Sequence, residues 1–261
     1  MLLVCGAAHA DEPSWEIGAG VGAASFPEYR GSNERTGYVL PIPYLVYRGE
    51  RLRVGRDGAR GVLAETERYE LDISVDGAVP VESSDDGPRA GMAELDPVIE
   101  AGPTLDRDLG VSGVGRWTLR LPLRAAIATD LDSTSHEGWT FHPQLRLAAP
   151  DLVGKWDFGF SVGPRFGSRD YHAYYYDVGA ADVRPGRDRY RASAGYSGLA
   201  LRGSASQRFG KWWVGGFFRY DNLSATTFAD SPLVETRHAL AVGFGVSWVF
   251  RQSDTRVTGR Q

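Results

Sequence analysis

Three scarcities in this chain each exclude a class of protein. Cysteine is nearly absent: Cys5, within the first ten residues, is the one example, so the rest of the chain can form neither an internal disulfide nor a thiolate metal site. The longest runs without a charge are about a dozen residues, such as Thr36 to Tyr47 and Ala239 to Phe250, whereas a membrane-spanning helix needs about 18. The net charge is -4 and the charges are mixed, so there is no basic stripe for nucleic acid.

What the chain does contain favours β-structure. It has 33 glycines, 11% aromatic residues and 42% hydrophobic residues, with a mean hydropathy of -0.29. Runs of strong helix formers are missing, and uncharged runs of this length suit a transmembrane strand, which needs about 9–11 residues. The composition therefore indicates a β-protein with many turns.

The first ten residues have the features of a processed leader. The segment 1–10 is apolar and ends in Ala8-His9-Ala10, which matches a small-residue cleavage site. We expect a signal peptide over 1–10 and a mature chain from Asp11. The segment is short and lacks a basic start, so we expect the true start codon to lie upstream. An apolar N-terminus without a targeting role is the alternative; Val4 before Cys5 disfavours a lipoprotein signal.

Strict alternation of side chains predicts strands with one apolar face. In 239–250 one face carries Leu240, Val242, Phe244, Val246, Trp248 and Phe250. The other face carries small residues. An amphipathic helix would space its apolar residues three and four apart, and this segment does not. The same alternation recurs along the chain, except in 191–205, where the register is ambiguous.

Twelve such segments predict an all-β, antiparallel transmembrane β-barrel over 11–250. We place them at 14–25, 37–48, 51–57, 60–66, 68–81, 94–107, 115–129, 139–149, 155–167, 191–205, 211–223 and 236–250. If 49–67 forms no strands, the barrel has 10. A soluble β-sandwich or lipocalin-like barrel would also alternate. Outer-membrane barrels have long connections at one end and short ones at the other, whereas a soluble sandwich has no reason to show this asymmetry. The long connections here are 26–36, 82–93, 130–138, 168–190 and 224–235, and all fall at one end. Residues 251–261 form a polar tail.

Tryptophan placement supports the membrane. With a periplasmic N-terminus, five tryptophans fall at periplasmic strand ends, as expected of an interfacial aromatic girdle. They are Trp15, Trp117, Trp156, Trp212 and Trp248.

A series of short motifs resembles the MltA-interacting protein (MipA)/OmpV family of outer-membrane proteins. The motifs are Gly18-Ala-Gly20, Pro27-Glu-Tyr29-Arg-Gly31-Ser32, Leu40-Pro41-Ile42-Pro43-Tyr44, Leu95 to Pro103, Tyr171 to Val178, Tyr190 to Gly195, Asp221-Asn-Leu223 and Asp230 to Val234. Each is weak alone, but their order and spacing are specific. Family members usually end on the final aromatic residue, whereas here Phe250 is followed by the polar tail.

The resemblance implies a non-enzymatic protein in the outer membrane of a Gram-negative bacterium. It implies a scaffold that joins a lytic transglycosylase to a peptidoglycan synthase, surrounded by outer-membrane lipid and lipopolysaccharide. A small-solute porin and a surface adhesin remain open as alternatives, because a fold does not select a function.

Alternation also predicts charged residues inside the barrel. We expect the acids Glu70, Asp72, Asp76, Asp96 and Glu100 to face the arginines Arg120, Arg124, Arg146 and Arg165 across a narrow lumen. Opposed charges attract more strongly in a confined, poorly hydrated site than on an open surface. The alternative is a wet lumen lined by solvated charges.

The loop 168–190 is a candidate recognition surface. It contains Tyr171, Tyr174, Tyr175, Tyr176, Arg184 and Arg187, and tyrosine and arginine are favoured at binding surfaces. The alternative is an interfacial belt whose arginines lie near lipopolysaccharide phosphates.

An outer-membrane lipid hydrolase is the remote enzymatic alternative. It would need a serine beside a histidine, and His142 and Ser161 are the pair that the predicted strands bring near each other. No serine elbow, metal-ligand spacing, phosphate loop or dinucleotide fingerprint occurs, so we predict no catalytic, metal or cofactor site.

Overall fold

The computed structural model describes residues 11–55, 58–77, 87–129 and 132–258, so the predicted signal peptide over 1–10 lies outside the described residues. The strands are Asp11–Pro13 (β1), Trp15–Pro27 (β2), Arg35–Arg48 (β3), Leu52–Gly55 (β4), Gly58–Glu65 (β5), Tyr69–Gly77 (β6), Val98–Ser112 (β7), Gly115–Thr129 (β8), Thr134–Phe141 (β9), Gln144–Val153 (β10), Trp156–Gly167 (β11), Gly195–Phe209 (β12), Trp212–Asn222 (β13), His238–Gln252 (β14) and Arg256–Thr258 (β15). One α-helix, α1, spans Arg169–Tyr176. No helix in the described ranges is long and apolar enough to cross a membrane.

The strands from β2 to β14 form one closed antiparallel barrel. Each strand pairs with the next along the chain, and β14 pairs with β2 to close the sheet. β9 and β10 are two halves of one strand, interrupted at His142 and Pro143, because both lie between β8 and β11. The barrel therefore has the predicted 12 strands, and the segment 49–67 does form two of them.

The alternation predicts correctly which side chains face outward. On β14, Leu240, Phe244 and Trp248 are 44%, 68% and 47% exposed, whereas Ala239 and Val249 are 3% exposed. Large apolar side chains are exposed around the whole barrel. In water such a belt would be an aggregation surface, whereas in a bilayer it contacts lipid.

All the long connections lie at one end of the barrel, as predicted. At one end the strands are joined by 49–51, 66–68, 113–114, 154–155 and 210–211; we call this the short-turn end. At the other end lie 28–34, 168–194 and 223–237, together with 78–97 and 130–133, which are described in part. β1 and β15 pair as a small separate sheet next to the short-turn end, where the backbone of Ser14 bonds to Thr255.

Some predicted strand limits are wrong. β7 begins at Val98 rather than at 94, and Leu95, assigned to the lipid face, is only 5% exposed. Because β7 runs on to Ser112, the predicted connection 108–114 shrinks to a two-residue turn. β14 extends past Phe250 to Gln252, so the first residues of the predicted tail belong to the barrel.

β12 begins at Gly195 rather than at 191, which explains the poor alternation of 191–205. The pairing of β11 with β12 shifts between Arg165 and Phe166, and Gly195 and Gly198 have φ angles of 138° and 111°. Such backbone angles favour glycine and accompany an irregular ladder. The break in register offsets the two-residue period, so the sequence pattern could not fix which residues face inward.

The seam between the first and last barrel strands is tight. A Cβ on Gly20 would lie 2.1 Å from the carbonyl oxygen of Val246 and 2.3 Å from Ser247 Oγ. Glycine is therefore required where β2 approaches β14 most closely, since backbone cannot move aside as a flexible side chain can.

Candidate functional site

The loop after β11 folds into a helix at the mouth of the barrel. Ser168 is the N-cap of α1: its Oγ accepts the backbone N–H of Tyr171 at 3.3 Å, and Asp170 lies in the first turn. Both features stabilise a helix N-terminus. Ser168 Oγ also accepts the backbone N–H of Trp139 at 3.0 Å, which ties the start of α1 to β9.

The aromatic side chains of α1 pack against the neighbouring loops. Tyr176 is 1% exposed and stacks on Phe228, with ring centroids 3.8 Å apart and planes 8° apart. Its hydroxyl donates to the carbonyl of Arg30 at 2.7 Å, and Tyr29 packs edge-on against its ring at 6.3 Å. Together with Leu223, these residues form a small apolar core that joins three of the long loops.

The opposite face of α1 contacts the inside of the barrel wall. Tyr171 packs with Val98 of β7 and with Ala126 and Ala128 of β8. Its hydroxyl donates to Glu100 Oε1 at 3.1 Å. α1 therefore lies across the lumen at its wide end rather than projecting from the surface.

His172 fixes α1 to the other side of the mouth. It is fully buried; its Nε2 hydrogen-bonds to Ser197 Oγ on β12, and its Nδ1 lies 2.7 Å from the carbonyl oxygen of Ser193. The pKa of His172 is lowered to about 4, mainly by burial. The hydrogen bond to the Ser193 carbonyl raises this pKa, and the positive charge of Arg30 lowers it further. The imidazole is therefore neutral at pH 7. Sequence reasoning missed this contact, since a lone histidine carries no signal of its partner.

The predicted recognition loop is largely turned inward. Tyr171 and Tyr176 are buried, and Tyr174 donates its hydroxyl to the carbonyl of Asp96 at 3.2 Å. Burial first, and then the charge of Asp96, raise the pKa of Tyr174 to about 12. Tyr171 and Tyr176 therefore lie inside the mouth rather than on an exposed surface, because they find more apolar contact there, whereas Tyr174 and Tyr175 are half-buried.

The two predicted loop arginines bind backbone rather than solvent. Arg184 donates to the carbonyls of Gly87 and Ala90 at 2.9 and 3.1 Å, and Arg187 donates to those of Pro88 and Ala90 at 2.8 and 2.9 Å. They join the loop after β11 to the loop before β7, an arrangement that covers part of the barrel mouth.

Below α1, charged side chains of both signs fill the narrow part of the lumen. Arg120 Nη1 lies 3.1 Å from Asp106 and its Nη2 lies 3.9 Å from the fully buried Asp72. Glu70 is paired with Arg53 and, at 3.6 Å, with Arg60. Burying charged groups to this extent carries a desolvation penalty, which the ion pairs offset. Removing one partner would therefore leave a buried charge without compensation.

A second group lies higher, just beneath α1. Arg124 is 3.1 Å from Asp76 on β6, and Arg165 on β11 is 3.7 Å from Glu100 on β7. Arg202 on β12 reaches Asp76 at 3.7 Å, although many strands separate β12 from β6 in either direction round the barrel. The Arg202–Asp76 pair therefore crosses the lumen.

Two of the nine predicted lumen residues stand apart from these ion pairs. Asp96 lies before β7, not on it, and within the described residues no ion pair joins it to an arginine. Arg146 lies on β10 and interacts electrostatically with Asp106 and Arg120. The prediction missed six other charged partners, which are Arg53, Arg60, Asp106, Arg202, Arg219 and Asp221.

Oxygen atoms of Glu70, Asp72 and Asp106 lie within 4.8 Å of one another, close enough to share a metal ion. Arg53, Arg60 and Arg120, however, lie against the same carboxylates. A divalent cation favours sites with an excess of negative charge. These residues fit an ion-pair network better than a metal site.

The five predicted girdle tryptophans lie at the short-turn end of their strands. Trp212 and Trp248 face each other in register and are 53% and 47% exposed. Trp117 Nε1 donates to Ser112 Oγ at 2.8 Å, and Trp156 packs edge-on against Phe209. Trp15 begins β2, in register with Tyr47.

The pair considered for a hydrolase is not assembled: within the described residues no hydrogen bond joins His142 to Ser161, and the backbone N–H of His142 donates to the carbonyl of Pro122. The serine and histidine that do meet, Ser197 and His172, are at most 1% exposed.

A sequence profile of one protein family, described as MltA-interacting protein MipA, matches residues 19–250. The chain belongs to this family. With its closed sheet and its outward apolar belt, this MipA-family protein is an outer-membrane β-barrel. No curated protein matches the chain significantly in sequence.

Several solved structures are similar to this chain over most of its length. An outer-membrane channel from Pseudomonas putida F1 is 12% identical, with a TM-score of 0.46, and the match covers 95% of this chain and 100% of that one. The translocator domain of the autotransporter NalP from Neisseria meningitidis is 13% identical, with a TM-score of 0.45 over 93% and 90% of the two chains. The CymD monoaromatic hydrocarbon channel is 12% identical, with a TM-score of 0.42 over 92% and 89%.

Proposed function

We propose that this protein is a non-enzymatic scaffold, which holds a lytic transglycosylase and a peptidoglycan synthase at the inner surface of the outer membrane. The observation that carries the proposal is the obstructed lumen. α1 lies across its wide end, and ion pairs such as Arg120–Asp106 and Arg202–Asp76 fill and cross it below. A barrel built in this way suits binding to other proteins better than solute flow.

The family name supports the partner class. It describes a protein that interacts with MltA, and a lytic transglycosylase is the partner that the resemblance implies. By analogy this chain would bind an enzyme of that class in the periplasm, while outer-membrane lipid and lipopolysaccharide surround the apolar belt.

The short-turn end offers the docking surface. There β1 pairs with β15, and Arg48 binds Glu12 at 2.7 Å, so this small sheet is held against the barrel. This small sheet has a free edge on each strand within the described residues, and free edges accept further strands. A partner on this side would be near its murein substrate.

Binding to the purified enzymes tests the proposal directly. The folded protein is immobilised in detergent and titrated with a lytic transglycosylase and a peptidoglycan synthase from the same bacterium. We expect saturable binding of both, weakened at least tenfold by a stop codon after Gln252, which removes β15. Arg189→Ala at the opposite end is the control and should leave binding unchanged. Absence of binding to either enzyme would refute the scaffold.

Planar-bilayer recording separates the scaffold from a porin. The wild-type protein should be silent while its folded state is verified on an unheated gel. Reproducible single-channel steps would contradict the closed lumen and favour the porin alternative.

A further inference from the structure

A cavity of about 160 Å³ lies beneath α1, between the two sides of the barrel wall. Tyr171, Tyr175 and Tyr176 of α1 form part of its lining, and Tyr38 of β3 contributes another ring. The scaffold role makes no use of this space. An apolar cavity of roughly 150 Å³ holds a molecule the size of benzene, so a small ligand fits here.

One wall of the cavity concentrates positive charge. Arg202 on β12 and Arg219 on β13 are direct partners in register, and both side chains line the cavity. Like charges directly opposite on neighbouring strands destabilise a sheet. Arg165 on β11 adds a third guanidinium beside them. Asp221 on β13 accepts from Arg219 at 2.6 and 3.3 Å, so Arg165 and Arg202 are the guanidiniums of this wall that have the looser partners.

Among the residues that the structure describes, two donors on this wall have no hydrogen-bond acceptor. Arg165 has 8% of its side chain exposed, and its buried Nη1 makes no hydrogen bond; the buried Nε of Arg202 makes none either. A buried donor without an acceptor costs about 1–3 kcal/mol. Both atoms belong to residues that line the cavity, where a ligand oxygen could reach them.

The facing wall is acidic, and the ion pairs between the two walls are loose. Asp76 on β6 lies 3.7 Å from Arg202, and Glu100 on β7 lies 3.7 Å from Arg165. Both separations exceed the 2.7–3.2 Å of a hydrogen bond. A molecule with an anionic and a cationic end could replace each loose pair with two hydrogen-bonded contacts.

Charge balance selects the type of ligand. Four arginines line the cavity, since Arg30 joins the three on the basic wall. Against them stand five carboxylates, those of Glu28, Asp76, Asp96, Glu100 and Asp221. A free anion would deepen this slight negative excess, whereas a net-neutral molecule adds no uncompensated charge to a confined site.

We propose that the cavity is a binding site for a small zwitterion of the free amino-acid class. Its carboxylate accepts from Arg165 and Arg202, its ammonium donates to Asp76 and Glu100, and its side chain packs against the tyrosine rings of α1.

Three matched probes test the proposal on the whole folded protein in detergent. Valine carries both charges, 3-methylbutanoate lacks the ammonium, and isobutylamine lacks the carboxylate. Ligand-observed saturation-transfer NMR measures each affinity. We expect valine to bind at least tenfold more tightly than either analogue. Equal binding of 3-methylbutanoate would overturn the zwitterion assignment, and absence of saturable binding by all three would mean that the cavity holds only water.

Two substitutions assign the ends of the ligand. Arg202→Gln should weaken valine binding at least tenfold, and Asp76→Asn should abolish the preference for valine over 3-methylbutanoate. Arg107→Gln is the control, because Arg107 is exposed on the outer face of β7. Each variant is first checked for folding by its mobility on an unheated gel. Valine affinity unchanged in both folded variants would contradict the proposed site.

Discussion

Tyr176 offers the sharpest test of how firmly α1 closes the barrel. Tyr176→Ala removes a ring that is 1% exposed, stacked on Phe228 at 3.8 Å, and bonded through its hydroxyl to the carbonyl of Arg30. Truncation of a buried aromatic residue to alanine costs roughly 3–5 kcal/mol. If the loss falls on the docking of α1, the ratio of docked to undocked loop falls by about two to nearly four orders of magnitude, at 1.4 kcal/mol per factor of ten.

Limited trypsin digestion measures that ratio, because the loop contains Arg169, Arg184, Arg187, Arg189 and Arg191 and cleavage follows transient opening. The variant should be cut within 169–191 far faster than the wild type, and its lumen should begin to conduct. Tyr176→Phe should lose about 1 kcal/mol, the value of one hydrogen bond.

Tyr190→Ala is the control for loss of a tyrosine at a partly exposed position of the same loop, where the hydroxyl contact to Thr227 is 3.3 Å long. It should raise cleavage less than Tyr176→Ala does, because Tyr190 is only partly buried where it packs against the same apolar core. If Tyr176→Ala stays folded, uncut and silent, the packing of Tyr176 does not hold α1 in place, and the account of the closed mouth fails.

Three further predictions follow from other contacts. The pKa of His172 is about 4 when α1 is docked and 6.5 when α1 is released. Docking should therefore be unaffected above pH 6.5 and should weaken by up to about 3 kcal/mol as the pH falls to 4. Trypsin cleavage of the loop should rise through this pH window in the wild type and stay flat in folded His172→Gln. Arg120→Gln removes the arginine that pairs with two buried carboxylates and should lower the free energy of unfolding by about 3–5 kcal/mol. Arg107→Gln, on the outer face, is the control and should lower it by under about 1 kcal/mol. Equal urea unfolding midpoints for the two variants would count against the lumen network. Gly20→Ala forces a Cβ to 2.1 Å from backbone and should impair barrel closure, while Gly37→Ala, with nothing within 4 Å, should fold normally on an unheated gel.

Local patterns were enough to predict the barrel, because the direction of a side chain on a strand repeats every two residues. The last strand shows this well: the large side chains from Leu240 to Phe250 face outward, and the small ones between them face inward. Connection lengths were equally informative, since the long gaps that the sequence predicts, such as 168–190 and 224–235, all fall at one end of the barrel.

The candidate site could be predicted only in part. Alternation placed Arg120, Arg124 and Arg165 inside, but it could not name Arg202 as a partner of Asp76, because the register of β12 changes at a bulge next to Gly195 and Gly198. The aromatic run at 171–176 was recognised as unusual and assigned to the surface. Its true position depends on apolar partners, such as Phe228, that belong to another loop.

The sequence by itself determined the barrel, the face of most strands, the end that carries the long connections, and the family, and it left the strand number at 12 or 10. All of these depend on neighbours within a few residues along the chain. Only the tertiary structure decided that α1 lies in the mouth and which charges meet across the lumen. Tyr171 and Glu100 are 71 positions apart, and Glu16 and Arg208 are 192 apart. Contacts at such separations arise from closure of the sheet, and no local periodicity encodes them.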